Sequence, residues 1–357
     1  MKKWMTCLLL LASLPLWGQK QYTDAQDLTL CGKIFNTTRP YERIDPLEEM
    51  TDGEKGQAKL PCGLMVAFNT DSRAIGVRVV WAATAPNGGL YGPIAARGFD
   101  LYMKKDGKWR WAGNGYPKQT APGEPYEITL IPSTIDGEKE CLLYLSLIAK
   151  IESLEIVTDK GSRIEPGPAP FKGRIAVFGS SFTQGSGAGR CAMTWEAQLS
   201  RATGYNFMNF GFSGNSRLQS YFAEALATAD VDAYVFDAFS NPSPEQVEER
   251  LEPFIRTIRK AKPGIPMIFI QTIDREKSSF NPAHLAKIQS RKQMADKMMR
   301  QMTKKYKDVY WVTTTSATSE EHEATSDGSH PDSYGYLLWM KSIKKPVMKI
   351  LSRYEIR

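Results

Sequence analysis

From Arg174 onward, five short apolar runs alternate with long segments of helical spacing, and that alternation leaves few folds open. The runs are "RIAVFG", "YNFMNFG", "DAYVFDAF", "PMIFIQTI" and "VYWVTTT". Between them lie "TWEAQLSRAT", "SYFAEALATA", "PEQVEERLEPFIRTIRKA" and "PAHLAKIQSRKQMADKMMRQMTKKY", and "SYGYLLWMKSIKKPVMKIL" closes the chain. Runs that are apolar at successive positions suit strands covered on both faces, and crossover helices of this length join parallel neighbours. The expectation for residues 174–357 is an α/β domain, a three-layer, doubly wound parallel sheet whose functional groups gather on the loops leaving the strand C-termini.

The preceding residues follow another grammar. "LMVAFNT", "IGVRVVWAAT", "FDLYMKK", "WRWAGNG", "YEITLIP", "CLLYLSL" and "IESLEIVT" are short strand-like runs separated by turn signals such as "APNGG", "KKDGK" and "TIDGEKE". Even spacing and glycine–aspartate turns predict an all-β, antiparallel sandwich of jelly-roll type over residues 19–159. "DKGSRIEPGPAPFKGR", rich in proline and glycine, reads as a linker over residues 160–173.

Residues 1–18 carry Lys2, Lys3, an apolar run from Trp4 to Trp17 and Gly18 as a small residue for cleavage. That is the pattern of a secretory signal peptide, which predicts export to a periplasmic or extracellular location. The run is shorter than the roughly 20 residues of a bilayer span, and no later segment is long and apolar enough to span after processing. Cys7 lies too early in the run to be a lipid-modified cysteine at the cleavage point. The leader holds two lysines and no acid, so its removal lowers the formal net charge from +7 to +5. Much of that excess sits in "SRKQMADKMMRQMTKKYK", where Asp296 interrupts the basic residues and no aromatic platform accompanies them. A solvated helix face accounts for it, and a nucleic-acid partner is not expected. Cys31, Cys62, Cys141 and Cys191 remain; their wide spacing is neither a dense disulfide framework nor a zinc pattern, though one bridge among Cys31, Cys62 and Cys141 stays open.

The loop after the first apolar run, "GSSFTQGSGAGR", invites two readings. A phosphate cradle of the Walker type needs a lysine after its second glycine, and Gly185 is followed by Ser186 and Gly187. A dinucleotide fingerprint needs a third glycine where Arg190 stands. A serine nucleophile instead needs a base and an orienting acid. The chain has three histidines. His284 begins a helical pattern and His322 stands in an acidic run, whereas His330 lies in "DGSHPDSYGY" on the loop after the last strand. Asp327, three residues before it, is placed to fix the imidazole tautomer.

"GSSFTQG" at the first strand end, taken with "DGSHP" before the last helix, resembles the SGNH or GDSL-type hydrolases, esterases of flavodoxin-like fold; the likeness covers roughly residues 174–350. The family's first motif reads Gly-Asp-Ser with Thr and Gly beyond. Gly179, Ser181, Thr183 and Gly185 match it and Ser180 replaces the aspartate, so the resemblance implies Ser181 as nucleophile. It implies an oxyanion hole from the backbone N–H of Ser181, that of Gly214 in "NFGFSGNS" (Gly211 being the lesser candidate), and the side chain of Asn241 in "DAFSNPSP". Phe239 stands where the family often has glycine. The last motif, Asp-x-x-His, is matched by Asp327 and His330. Such a site needs no metal and no other cofactor.

The N-terminal half resembles, more loosely, the β-sandwich domains that precede some bacterial members, around "RGFDLYMKKDGKWRWAGNG". That implies an exported carbohydrate acetylesterase acting on an acylated sugar. Tyr91, in "NGGLYGP", is a candidate substrate platform, with Trp81, Trp109, Trp111 and Tyr116 as further aromatics that either line a sugar site or fill the sandwich core. Two alternatives stay open: a lipase or thioesterase using longer acyl chains, and a catalytically inactive carbohydrate-binding protein.

Overall fold

The computed structural model of the protein describes residues 19–84 and 88–356. The leader read over residues 1–18, Cys7 included, lies outside the described residues.

The N-terminal half contains strands β1 (Lys20–Asp24) and β2 (Thr29–Cys31), helix α1 (Asp52–Ala58), and strands β3 (Met65–Thr70) and β4 (Ile75–Trp81). Helix α2 (Pro93–Arg97) follows, then β5 (Phe99–Lys105), β6 (Lys108–Gly115), β7 (Pro125–Ile131), β8 (Lys139–Tyr144), β9 (Ile151–Asp159) and β10 (Ile164–Pro166). One antiparallel sheet is ordered β1-β9-β4-β7, and a second β10-β3-β8-β5-β6 with β2 beside β3. Val66, Phe68, Leu101 and Leu143 of the second sheet meet Val77, Val79, Leu154 and Ile156 of the first in one core. Neighbouring residues of the second sheet, Met65, Ala67, Tyr102, Leu142 and Tyr144, turn the other way and join the core of the C-terminal half beside Trp195. Burial on both faces is why "LMVAF" and "CLLYL" are continuously apolar rather than alternating.

The stretch read as a linker is partly built into the sandwich, since β10 pairs with β3. No disulfide forms among the described residues: Cys31, Cys62, Cys141 and Cys191 are free. Cys31 pairs in register with Met65 and Cys141 with Phe68. Strand β3 thus separates those two thiols by about two strand spacings, beyond disulfide reach. Of the aromatics, Trp81 is wholly buried against Phe99, which removes it as a sugar platform. Trp111 is exposed, with the Arg190 guanidinium 5.2 Å from its ring.

The C-terminal half runs β11 (Lys172–Gly179), α3 (Ser181–Gln184), α4 (Trp195–Thr203), β12 (Tyr205–Gly211), α5 (Ser220–Thr228), β13 (Ala233–Asp237), α6 (Pro244–Ala261), β14 (Met267–Ile270), α7 (Pro282–Lys305), β15 (Val309–Val312) and α8 (Ser333–Leu351). Its five strands are parallel in the order β12-β11-β13-β14-β15. This is the flavodoxin-like order, with its topological switch between β11 and β13. Along β11, Ile175 and Val177 face Trp195, Leu199, Trp339 and Ile343 of α4 and α8. Ala176 and Phe178 face Phe222, Leu251, Phe254 and Met299 of α5, α6 and α7. A strand's two-residue period thus divides its apolar residues between two helix layers, each fully buried Phe or Leu contributing roughly 1.5–3 kcal/mol. The basic face of α7 is paired off through Lys292–Asp274, Lys297–Glu248, Arg300–Asp296 and Lys305–Glu252. No helix among the described residues is long and apolar enough to cross a membrane.

Candidate active site

Gly179 is in register with both Gly211 of β12 and Asp237 of β13, so three loops leave the sheet at one level. At that edge the chain turns directly into α3. Ser180 takes an extended conformation as its N-cap and accepts from the Phe182 N–H at 3.2 Å; Gly185, at φ +99°, ends the helix after one turn. The turn lies against the sheet edge. A Cβ on Gly211 would stand 2.2 Å from the Gln184 nitrogen, so only glycine fits there.

Ser181, first residue of this turn, is 6% exposed. Its Oγ lies 3.1 Å from His330 Nε2, and His330 Nδ1 lies 3.0 Å from Asp327 Oδ2. Asp327 Oδ1 also accepts from the backbone N–H groups of Ser329 and His330, at 2.9 and 2.7 Å. Burial opposes ionisation of Asp327, but these N–H groups and the His330 ring outweigh it and hold the carboxyl below its usual range. The structure therefore brings together the hydroxyl, imidazole and carboxylate that the sequence reading singled out. His284 and His322 lie elsewhere: His284 Nδ1 is 2.8 Å from Ser278 Oγ, and His322 is an exposed loop residue beside Phe280.

The loop carrying His330 is braced on several sides. Ser326 N–H donates to His330 O at 2.8 Å, and Glu276, itself buried, accepts from Ala324 N–H and Thr325 Oγ1 at 2.9 and 2.6 Å. The Phe182 ring meets the imidazole edge-on at 5.3 Å and carries the buried Arg275 guanidinium 4.4 Å away.

Gly214, at φ +74°, sits in an exposed turn after β12. The turn is held by Ser213 N–H on Gln184 Oε1 at 2.9 Å and by Gln57 Nε2 on Ser213 O at 2.9 Å. Half-buried Asn241 accepts from Ser216 Oγ at 3.1 Å through its Oδ1. That bond ties the two loops together and leaves the amide nitrogen as the end of Asn241 free to donate. Tyr91 reaches the loop after Ser181 from the sandwich, its hydroxyl 2.6 Å from Ser186 Oγ, while Leu90 O accepts from Gly187 N–H at 3.0 Å.

Sequence reasoning missed Asp237. Its wholly buried carboxylate accepts from Ser180 N–H (3.1 Å), Ser180 Oγ (2.7 Å), Thr183 Oγ1 (3.1 Å) and Ser240 Oγ (2.9 Å). Burial pushes its pKa up and these donors pull it back. The signal was an aspartate ending an otherwise apolar run, "AYVFD". Arg43 was missed as well. Fully buried, it donates to Gly211 O (2.8 Å), Leu60 O (3.1 Å) and Gln57 O (2.8 Å), with its guanidinium 5.0 Å from the Phe212 ring.

A sequence model described as the GDSL-like lipase/acylhydrolase family matches residues 172–349, and one described as the N-terminus of SGNH-hydrolase-type esterases matches residues 20–164. No curated protein matches the chain. Among solved structures, a GDSL-like lipase from Bacteroides ovatus is 34% identical with a TM-score of 0.89, over 95% of this chain and 100% of that one. A salicylyl-acyltransferase from a tetracycline biosynthetic pathway is 20% identical with a TM-score of 0.72, over 95% and 99%. An acetyl xylan esterase from the rumen bacterium Butyrivibrio proteoclasticus is 11% identical with a TM-score of 0.57, over 94% and 100%. The last two show likeness of fold. The identity to the first, maintained along its whole length, shows the family: this chain belongs to the GDSL-like lipase/acylhydrolases, serine ester hydrolases of SGNH fold whose parallel sheet is here preceded by an antiparallel domain.

Proposed function

We propose that the protein is an exported acetylesterase of carbohydrate in which Ser181 is the nucleophile, His330 the general base and Asp327 the acid that orients it. The observation that carries the reading is the continuous relay of 3.1 and 3.0 Å from Ser181 Oγ through His330 to Asp327. His330 Nε2 takes the hydroxyl proton as Ser181 Oγ adds to the ester carbonyl. The same nitrogen returns the proton to the departing alcohol, and water repeats the sequence to free the acid. Asp327, kept ionised by its backbone donors, holds Nδ1 protonated so that Nε2 faces the serine as acceptor. The Ser181 and Gly214 N–H groups and the Asn241 amide are the donors assigned to the oxyanion, where one such donor is worth about 2.7–4 kcal/mol. Carbohydrate as the alcohol is supported by the shared fold with the acetyl xylan esterase, and export by the leader pattern of residues 1–18.

The test is hydrolysis of a short-chain aryl acetate by the protein and by Ser181→Ala, followed by a panel of acetylated glycosides. Loss of turnover in Ser181→Ala with an unchanged unfolding transition is expected. Equal turnover by the two proteins would refute the assignment.

A further inference from the structure

A cavity of about 390 Å³ opens where the sandwich meets the nucleophile turn. Gln184 and Ser213 line it from the catalytic half, and Gln57, Tyr91, Ile148 and Lys150 from the N-terminal half. Gln184 lies one helical turn beyond Ser181 and accepts from Ser213 N–H, next to Gly214, so the cavity borders the far end of the Ser181 turn and the turn assigned to the oxyanion. Its volume falls within the roughly 300–1,000 Å³ of small-molecule sites and exceeds what an acetyl group fills. It therefore suits the alcohol part of an ester.

The amide and phenol groups of the lining are already engaged. Gln57 donates to Ser213 O and accepts from Asn215; Gln184 accepts from Ser213 N–H; the Tyr91 hydroxyl meets Ser186, and burial keeps the phenol protonated by raising its pKa. Among the described residues, Lys150 is the only charged one of the lining. It is half-buried, and among the described residues its ammonium makes no hydrogen bond or ion pair. Glu42 feels its charge but shares it with Lys59 and Arg39 at a distance. An ammonium in a largely apolar-walled cavity favours an anionic occupant, because no protein carboxylate lies within ion-pair distance of it among the described residues.

We propose that this cavity is a subsite for a carboxylated sugar, and that Lys150 pairs with the carboxylate of a uronate-type ring bearing the acyl group. The inference rests on the ester-hydrolase reading above and names the class of alcohol that its site selects.

Binding and turnover test the two readings separately. Calorimetric titration with the methyl glycoside of galacturonic acid, its carboxylate free, and with methyl galactoside as the neutral counterpart needs no catalysis. The expected result is uronate binding at least about tenfold tighter, weakened by added salt. Lys150→Gln abolishes the preference and Lys150→Arg keeps it. Equal affinities, no detectable binding of the uronate, or a preference that survives Lys150→Gln would each overturn the subsite. Turnover of the O-acetylated forms of both glycosides completes the test. Equal efficiency on the two counts against the subsite alone, whereas no release of acetate from either, nor from aryl acetate, counts against the hydrolase reading.

Discussion

Restoring the family's aspartate at position 180 should damage this protein rather than improve it. Ser180 Oγ donates to Asp237 Oδ2 at 2.7 Å in a site closed to solvent. An aspartate at 180 can still cap α3, so its cap contribution is kept. It also sets two carboxylates face to face, with charge centres about 4 Å apart, a repulsion of about 4 kcal/mol at an effective dielectric constant near 20. The lost hydroxyl-to-carboxylate bond adds roughly 1.5–3 kcal/mol. Ser180→Ala loses that bond and, in addition, the α3 cap, about 1 kcal/mol, but introduces no second carboxylate, which makes it the control. The two acids can escape by sharing one proton, and the shared pair then has a folded-state pKa above its unfolded value. The folded chain of the variant binds more protons than the unfolded chain, so its stability rises as pH falls. Urea denaturation at about pH 7 and about pH 5 should show Ser180→Asp several kcal/mol below Ser180→Ala at the higher pH, with the gap narrowing at the lower. The double variant Ser180→Asp/Asp237→Ser, which exchanges acid and hydroxyl, should recover most of the loss. If Ser180→Asp is as stable as Ser180→Ala at both pH values, the electrostatic argument is wrong.

Two further outcomes are expected. Asn241→Ala should lower kcat by about 10²–10³ with little change in KM, the effect of removing one oxyanion donor; Ser216→Ala, which frees the amide to rotate, should cost less, and steady-state kinetics with both variants checks the order. Glu196 is wholly buried, and burial lifts its pKa from 4.5 to about 7 against the pull of Thr194 and Asn209. Its folded-state value is the raised one, so the stability linked to its proton is present at low pH and fades as pH climbs through about 7. Chemical denaturation should therefore find the protein less stable at about pH 8.5 than at about pH 6, by about 1.4 kcal/mol from this group, since pH 6 lies about one pH unit below the raised value. Glu196→Gln should flatten that slope, and an unchanged slope would exonerate Glu196.

The C-terminal half was legible because its signals are local. Periodicity marked the five strands, Ser181 sits where the first apolar run gives way to a loop, and Asp327 and His330 stand together on the loop between the last strand and the last helix. The strand order could not be read from periodicity, nor could the partnership of Ser180 with Asp237, whose residues lie 57 positions apart and meet only through the β11–β13 register. The sandwich was visible as short strands, but its second buried face was not, since a continuous apolar run such as "CLLYL" does not say what covers it. Arg43 and Gln57 show the same limit. Each looks like an ordinary polar residue in a loop or short helix, and each becomes informative only when its partner, Gly211 or Ser213, arrives from the other half of the chain.

The grip of Arg43 and Gln57 on the backbone after β12 also bears on how such a protein can be rebuilt. These side chains hold Gly211 O and Ser213 O, so the rim of the reaction centre is upholstered from the first sixty residues of the chain. The halves are consequently not interchangeable cassettes. A chimera that imports another sandwich must carry its own equivalents of this arginine and glutamine, or the graft will join two sound folds around a slack turn. Directed evolution of selectivity can, by the same token, be aimed at α1 and its flanks, far from the turn after β12 in sequence and in contact with it in space.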